Sequence, residues 1–204
     1  MLSDDAKKLL ESASQAYESQ VREIGHYLDT RGITQGMAAS FRLGYVKDPV
    51  VGHEEFRNRL AIPYDTPSGV VDIRFRSVVD DGTPKYLSRP GSQQLIYNVK
   101  AFEIDSTMIA VCEGELDTMC ASTVIPAVGL PGAKGWKRFY WRAFQDYSKV
   151  FVLCDGDAAG KELGKEIAAA VDTAVVITMP DGMDVNDVYL SEGSEGLCKR
   201  MGLA

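Results

Sequence analysis

Two acidic residues stand one apart at the end of an apolar run, in "VFVLCDGDAAG", where Val150–Cys154 gives way to Asp155, Gly156 and Asp157. An earlier apolar run ends the same way. "TMIAVCEGELD" delivers Glu113, with Asp117 one helical turn on. A third apolar run, "TAVVITM", is followed by "PDGMDVND", which offers Asp181, Asp184 and Asp187. Carboxylates brought close together raise one another's pKa or push apart. Neighbouring Lys or Arg would relieve that, and so would divalent cations. Hard oxygen donors without His or Cys suit Mg²⁺ or Mn²⁺, not zinc.

Taken singly, each signal has a plainer reading. Asp157 alone reads first as a helix cap. A lone Asp-x-Asp could be half an EF-hand, but Ala159 stands where a third oxygen ligand belongs. It could also be a phosphatase nucleophile of the haloacid-dehalogenase type, which belongs on the first strand of its domain. Three acidic turns, each at the end of an apolar strand, are far more specific. They favour a metal site, because ligands bind outside the carboxyl ends of the strands in open α/β sheets.

The elements that must position these acids alternate. From about residue 105, strands at "TMIAVC", "VIPAVG", "KVFVLC" and "TAVVITMP" are separated by expected helices. These lie at 115–122, "KRFYWRAFQDY" and "AAGKELGKEIAAAV", and a short helix follows at "VNDVYLSEG". Strands apolar throughout imply a parallel sheet with helices on both faces. Before it, apolar spacing predicts a helix from Ser3 to about Asp29 and a second from a Thr34 cap to Phe41. "RLAIPYD", "GVVDIRFRSVV" and "PKYLSRP" read as short strands between Pro, Gly and Asp turns. In the middle strand Val71, Ile73 and Phe75 alternate with Asp72, Arg74 and Arg76, giving one buried and one polar face. The fold class is therefore α/β: an α+β lobe over 1–104, then a Rossmann-like parallel sheet over 105–204.

Composition bounds the rest. The 204 residues are 45 % hydrophobic and 25 % charged, which describes a globular chain. No apolar run approaches the roughly 18 residues of a membrane span, and the polar start lacks the apolar centre of a signal peptide. A cytoplasmic protein that avoids membranes is expected. Cys112, Cys120, Cys154 and Cys198 form no CxxC pair, and His26 and His53 are the only histidines, so no zinc is expected. The net charge of −7 is uneven: 10 Lys/Arg against 7 Asp/Glu over 31–100, but 9 against 16 over 101–204. A basic track and an acidic pocket can together serve a polyanion even when the whole chain is acidic.

At "EGELD" (113–117) and "DGDAAG" (155–160) the chain resembles the Toprim fold of bacterial primases, topoisomerases, small nucleases and recombination proteins. "YLDTRGIT", "FRLGYV", "FRNRLAIPYDTPSG" and "PKYLSRPG" look like the basic half of the RNA-polymerase core of DnaG-type primases, in the family's order. "PDGMDVND" looks like its last acidic motif, and the resemblance spans about 27–190. It implies a cleft between a basic lobe and a Toprim lobe, and synthesis of short RNA primers from NTPs on single-stranded DNA. Glu113, Asp155 and Asp157 would be catalytic and, with Asp184, would hold two or more Mg²⁺ or Mn²⁺ ions. Asp117 would support them. The family often has Asp-x-Asp last; Asn186 takes that second place here, so Asn186 and Asp187 both stand as candidates. Arg57, Asn58, Arg59, Arg76 and Lys85 match residues that face template or nucleotide.

No zinc-binding domain or helicase-binding domain is legible, so either a piece of a longer primase or a naturally compact, phage-encoded primase is expected, in the host cytoplasm if phage-encoded. A replicative helicase and a zinc-binding module would act in trans. The alternatives are a Toprim nuclease using similar acids, and a non-catalytic Toprim nucleic-acid-binding module.

Overall fold

The computed structural model describes residues 2–204 and divides into two compact units, Met1–Gln93 and Gln94–Ala204. Residues after 93 fold with the second unit because Tyr97 bridges to Gly129 and the Asn98 side chain donates to the Ala127 carbonyl at 2.8 Å.

In the first unit, α1 (Asp4–Glu18) is capped by Ser3, whose hydroxyl accepts from Ala6 N, and carries Asp4 and Asp5 in its first turn. The expected single helix to Asp29 is interrupted. It breaks at Ser19–Gln20, continues as a 3₁₀ turn (Val21–Ile24) and resumes as α2 (Gly25–Thr30). Tertiary bonds fix the break: the Gln20 amide oxygen accepts from Lys47 N and Asp48 N. The helix α3 (Gln35–Ser40) starts at Thr34 as expected, the Thr34 hydroxyl accepting from Met37 N.

Strands β1 (Gly44–Tyr45), β2 (Arg59–Thr66), β3 (Gly69–Ser77) and β4 (Tyr86–Ser88) form an antiparallel sheet in chain order. Leu10, Ala13 and Tyr17 of α1 pack on Ala61, Val70, Ile73 and Phe75 of the sheet. Phe56 stacks on Phe75 at 3.9 Å between ring centroids. A Cβ at Gly44 would lie 2.5 Å from that of Tyr17, so glycine is what lets β1 approach the helix. The alternation in β3 holds for Ile73 and Phe75, but a register shift opposite Tyr64 and Asp65 puts Val70 in the core where Val71 was expected, and the polar face is also covered: Asp72 and Arg76 are both buried.

In the second unit, β5 (Met108–Cys112), β6 (Ala127–Gly129), β7 (Lys149–Cys154) and β8 (Ala174–Thr178) form the expected parallel sheet, in the order β6-β5-β7-β8. The helices are α4 (Glu115–Ala121), α5 (Ala158–Ala168) and α6 (Val185–Met201). Ile109, Val111, Val128, Val150 and Val152 from the strands pack with Leu163 and Ile167 of α5 and with Phe144.

Two expected helices differ. Residues 138–144, read as amphipathic α-helix, form a 3₁₀ helix that begins without a capping side chain. Its aromatic face is pinned by packing instead: Trp136, Tyr140 and Trp141 lie against the core. The last helix runs on to Met201 through a kink at Gly193, whose φ of 67° only glycine adopts readily.

Candidate metal centre

The chain leaves β5 toward β6 on one side and later adds β7 and β8 on the other. The sheet order therefore reverses between β5 and β7. Loops leaving the carboxyl ends of such a pair diverge and open a crevice. Glu113 follows β5 and Asp155 follows β7, so both stand at that reversal.

Glu113 is 7 % exposed, and its Oε1 accepts from Asp155 N at 3.2 Å, tying the two strand ends together. Burial raises its pKa; the Asp155 N–H opposes that, and the charge of Asp157 adds to it. Asp155 sits at the centre. Its Oδ1 is buried without a hydrogen-bond partner. Burial, then the negative charges of Asp117, Glu113, Asp184 and Asp157, push its pKa up to about 8. A carboxylate so placed needs a proton or a cation.

The surrounding acids are held by backbone N–H groups, which orient them without neutralising them. Asp157 Oδ1 accepts from Gly160 N at 2.8 Å, so the capping role is real and starts α5. Asp117 Oδ1 accepts from Asn186 N at 3.0 Å, joining α4 to the start of α6. Asp184 and Asp187 form a reciprocal capping box: Asp184 Oδ1 takes Asp187 N at 2.7 Å, and Asp187 Oδ2 takes Asp184 N at 3.1 Å.

Close backbone approach depends on glycine. A Cβ on Gly160 would stand 2.5 Å from both Asp155 O and Glu113 Oε1, and one on Gly156 would overlap the Pro180 carbonyl. Among the described residues, no three His, Cys, Asp or Glu side chains close into a ready cage for an ion. The acids ring Asp155 at electrostatic range instead. Oxygen-only donors around one buried, unpartnered carboxylate oxygen suit a hard divalent cation.

Asn186 and Asp187, the two candidates for the last acidic position, have different partners. Asn186 is 2 % exposed, and its side-chain amide donates to Cys120 Sγ at 3.2 Å. Asp187 faces back to Asp184, and the charges that raise the Asp155 pKa are those of the other four acids. Asp181 is exposed and pairs with Lys161 at 3.1 Å. Sequence reading missed two contributors: the Asn186 N–H that anchors Asp117 and the spacing role of Gly160. The small-residue run 158–160 was the available signal for Gly160. The Asn186 bond spans 69 positions of chain and had none.

The five candidates for template or nucleotide contact divide in two. Arg57, Asn58 and Lys85 are exposed. Arg57 Nη1 donates to Lys47 O at 2.6 Å, and Asn58 adopts a positive φ of 60° and accepts from Tyr45 OH. Arg59 and Arg76 are 7 % and 6 % exposed and serve the fold directly. Arg59 donates to Pro84 O and Thr83 Oγ1. Arg76 donates to the Tyr27 and Tyr86 hydroxyls, with Tyr86 also sandwiched beneath Arg74. Asp72 of the same strand takes Arg89 and Ser92.

A parallel sheet in this order, with acids after its two central strands, defines a Toprim-domain protein, and residues 108–195 match the Toprim domain profile. The gene 57 protein of Mycobacterium phage D29 is 40 % identical over 152 residues, covering 72 % of this chain and 99 % of that protein. The DNA primase of Aquifex aeolicus is 26 % identical over 84 % of this chain, which spans 41 % of that primase. The RNA polymerase domain of Mycobacterium tuberculosis primase DnaG, solved in complex with a double-stranded DNA oligomer with a 6-nucleotide overhang, superposes with a TM-score of 0.79. It is 20 % identical, with 99 % of this chain and 81 % of that one covered. The chain belongs to one family with the phage D29 gene 57 protein, contains a Toprim domain, and has the fold of the DnaG RNA-polymerase core.

Proposed function

We propose that this chain is the nucleotidyl-transfer core of a phage DNA primase, making short RNA primers from NTPs on single-stranded DNA. The observation that carries the reading is Asp155: a buried carboxylate oxygen with no donor, ringed by Glu113, Asp117, Asp157 and Asp184, at the crevice of a Toprim sheet. Glu113, Asp155, Asp157 and Asp184 would hold Mg²⁺ or Mn²⁺. Such ions supply charge neutralisation for phosphoryl transfer between an attacking 3′-oxygen and a leaving pyrophosphate.

The remaining work falls to the protein's own groups. Glu113, bonded to Asp155 N, holds the ends of β5 and β7 together. Asp117, bonded to Asn186 N, fixes α4 against α6. Asp187 keeps the Asp184 turn in shape as its capping partner. Arg57, Asn58 and Lys85, which are exposed, would meet template or nucleotide phosphates, and buried Arg59 and Arg76 would hold the strands that present them. Phosphate contacts position a strand without reading its sequence. Among the described residues no helix is long and apolar enough to cross a membrane, and the proposed setting is the host cytoplasm. A helicase and a zinc-binding module are its proposed partners in trans.

The test is incubation of single-stranded DNA with labelled NTPs and Mn²⁺, the length of the DNA being followed in parallel. Labelled RNA oligomers on intact DNA are expected, and Arg57→Ala/Lys85→Ala should weaken template binding with the fold retained. Shortened DNA without labelled RNA would show a nuclease. Intact DNA without labelled RNA, together with no divalent ion bound at millimolar concentration, would show a binding module.

A further inference from the structure

The second unit carries a basic, aromatic segment that the strand-end acids do not use. Residues 132–149, "GAKGWKRFYWRAFQDYSK", hold Lys134, Lys137, Arg138, Arg142 and Lys149 against Asp146 alone. The rest of 101–204 carries four Lys/Arg against fifteen Asp/Glu, from 9 less 5 and 16 less 1. Three of those four are ion-paired, Lys161 with Asp181, Lys165 with Glu162 and Arg200 with Glu192. Among the described residues, none of the five cations in 132–149 forms an ion pair with a carboxylate.

Aromatic rings are interleaved with these charges. Arg142 lies 5.9 Å from the Trp141 ring centroid and Lys137 lies 5.8 Å from that of Tyr140. Phe139 is 59 % exposed, edge-on to Tyr140. Trp141 and Arg138 line a hollow of about 550 Å³, with Phe144 and Val171 among its apolar lining and Asp172 at its side. That size lies in the range of small-ligand sites. The segment immediately precedes β7, and the hollow's other wall joins α5 to β8. It therefore lies at the amino ends of the parallel strands. The six residues of β7, a strand of about 17–20 Å, separate it from the acids.

We infer that this face is a binding site for single-stranded nucleic acid, separate from the acidic crevice. One base enters the hollow against Trp141, and Arg138 and Arg142 take flanking phosphates. Cationic grooves with aromatic platforms bind single strands because every base offers a π-face. An acidic peptide would gain nothing from the rings, and its carboxylates would meet Asp172. A base can instead offer Asp172 an exocyclic amino group. The site stands whether or not the strand-end acids catalyse.

The test uses the full chain with Trp136→Phe, leaving Trp141 as its only indole, titrated with a fluorescein-labelled oligodeoxycytidylate in EDTA. Saturable quenching of Trp141 is expected, weakening as salt rises. Arg138→Glu/Arg142→Glu should lower affinity about tenfold and flatten the log–log salt slope by about 1.4, roughly 0.7 for each phosphate no longer neutralised. Lys165→Glu/Lys199→Glu makes the same charge change elsewhere and should leave quenching unaltered. Trp141→Leu, followed by anisotropy, should lose about fivefold or more through stacking. Binding without Trp141 quenching, or equal loss in the charge-matched control, would overturn the inference. So would equal quenching and displacement by oligoglutamate, which would mark a docking surface for an acidic protein.

Discussion

Replacing Asp155 with Asn removes the charge that the crevice tolerates least and keeps the side chain's shape. In the folded chain the Asp155 pKa is about 8, against 3.8 for an unperturbed Asp. Between those values the folded chain keeps a proton that the unfolded chain has released. Stability contributed by this group is therefore complete below about pH 4 and is lost as pH rises through about 8. At full burial a displacement of that size would amount to about 6 kcal/mol. Solvent reaches the half-buried side chain, and screening reduces the expected effect to about 2–3 kcal/mol. Without metal, Asp155→Asn should therefore be more stable than the parent by about that amount above pH 8, and the gain should vanish toward pH 4. Urea unfolding across this range, in EDTA, reads the difference directly. Adding Mn²⁺ should reverse the order, because only the parent gains stability by binding it. A variant less stable than the parent at high pH, with a pH-independent gap, would mean that Asp155 is stabilised as an anion by the protein. The metal assignment would then lose its physical basis.

Two further substitutions test the supports of the fold and site. Gly160→Ala places a methyl group 2.5 Å from Glu113 Oε1 and Asp155 O. It should cost about 1–3 kcal/mol in urea unfolding through overpacking, and calorimetry should show weaker Mn²⁺ binding because Glu113 is displaced. Arg76→Lys keeps the positive charge but cannot serve the Tyr27 and Tyr86 hydroxyls in the same fork geometry. A loss of about 1–3 kcal/mol is expected, and unchanged stability would return Arg76 to the ligand-facing set.

Much of this protein was legible in the order of its residues. Apolar runs ending in Glu113, Asp155 and the turn before Asp184 specified parallel strands that carry their acids at one end, because buried strands read as continuous hydrophobic stretches. Thr34 announced its helix through a local hydrogen bond, which depends on a spacing of three. Periodicity was also right for Ile73 and Phe75 of β3, but a register shift in the pairing with β2 exchanged Val70 for Val71 in the core. Tertiary structure decided what local pattern does not encode. The order β6-β5-β7-β8 puts Glu113 beside Asp155, and no spacing along the chain states which strands become neighbours. Asn186 became an anchor for Asp117 through a bond between distant segments. Arg76, polar and on the non-core face of its strand, was buried when Tyr27 and Tyr86 closed over it. Residues 138–144 took the tighter helix because packing of their aromatic face outweighed an α-helical pattern with no cap. Residue type and short-range spacing set which groups can act; long-range packing set which of them meet, because the free energy of burial depends on neighbours that the local sequence does not contain.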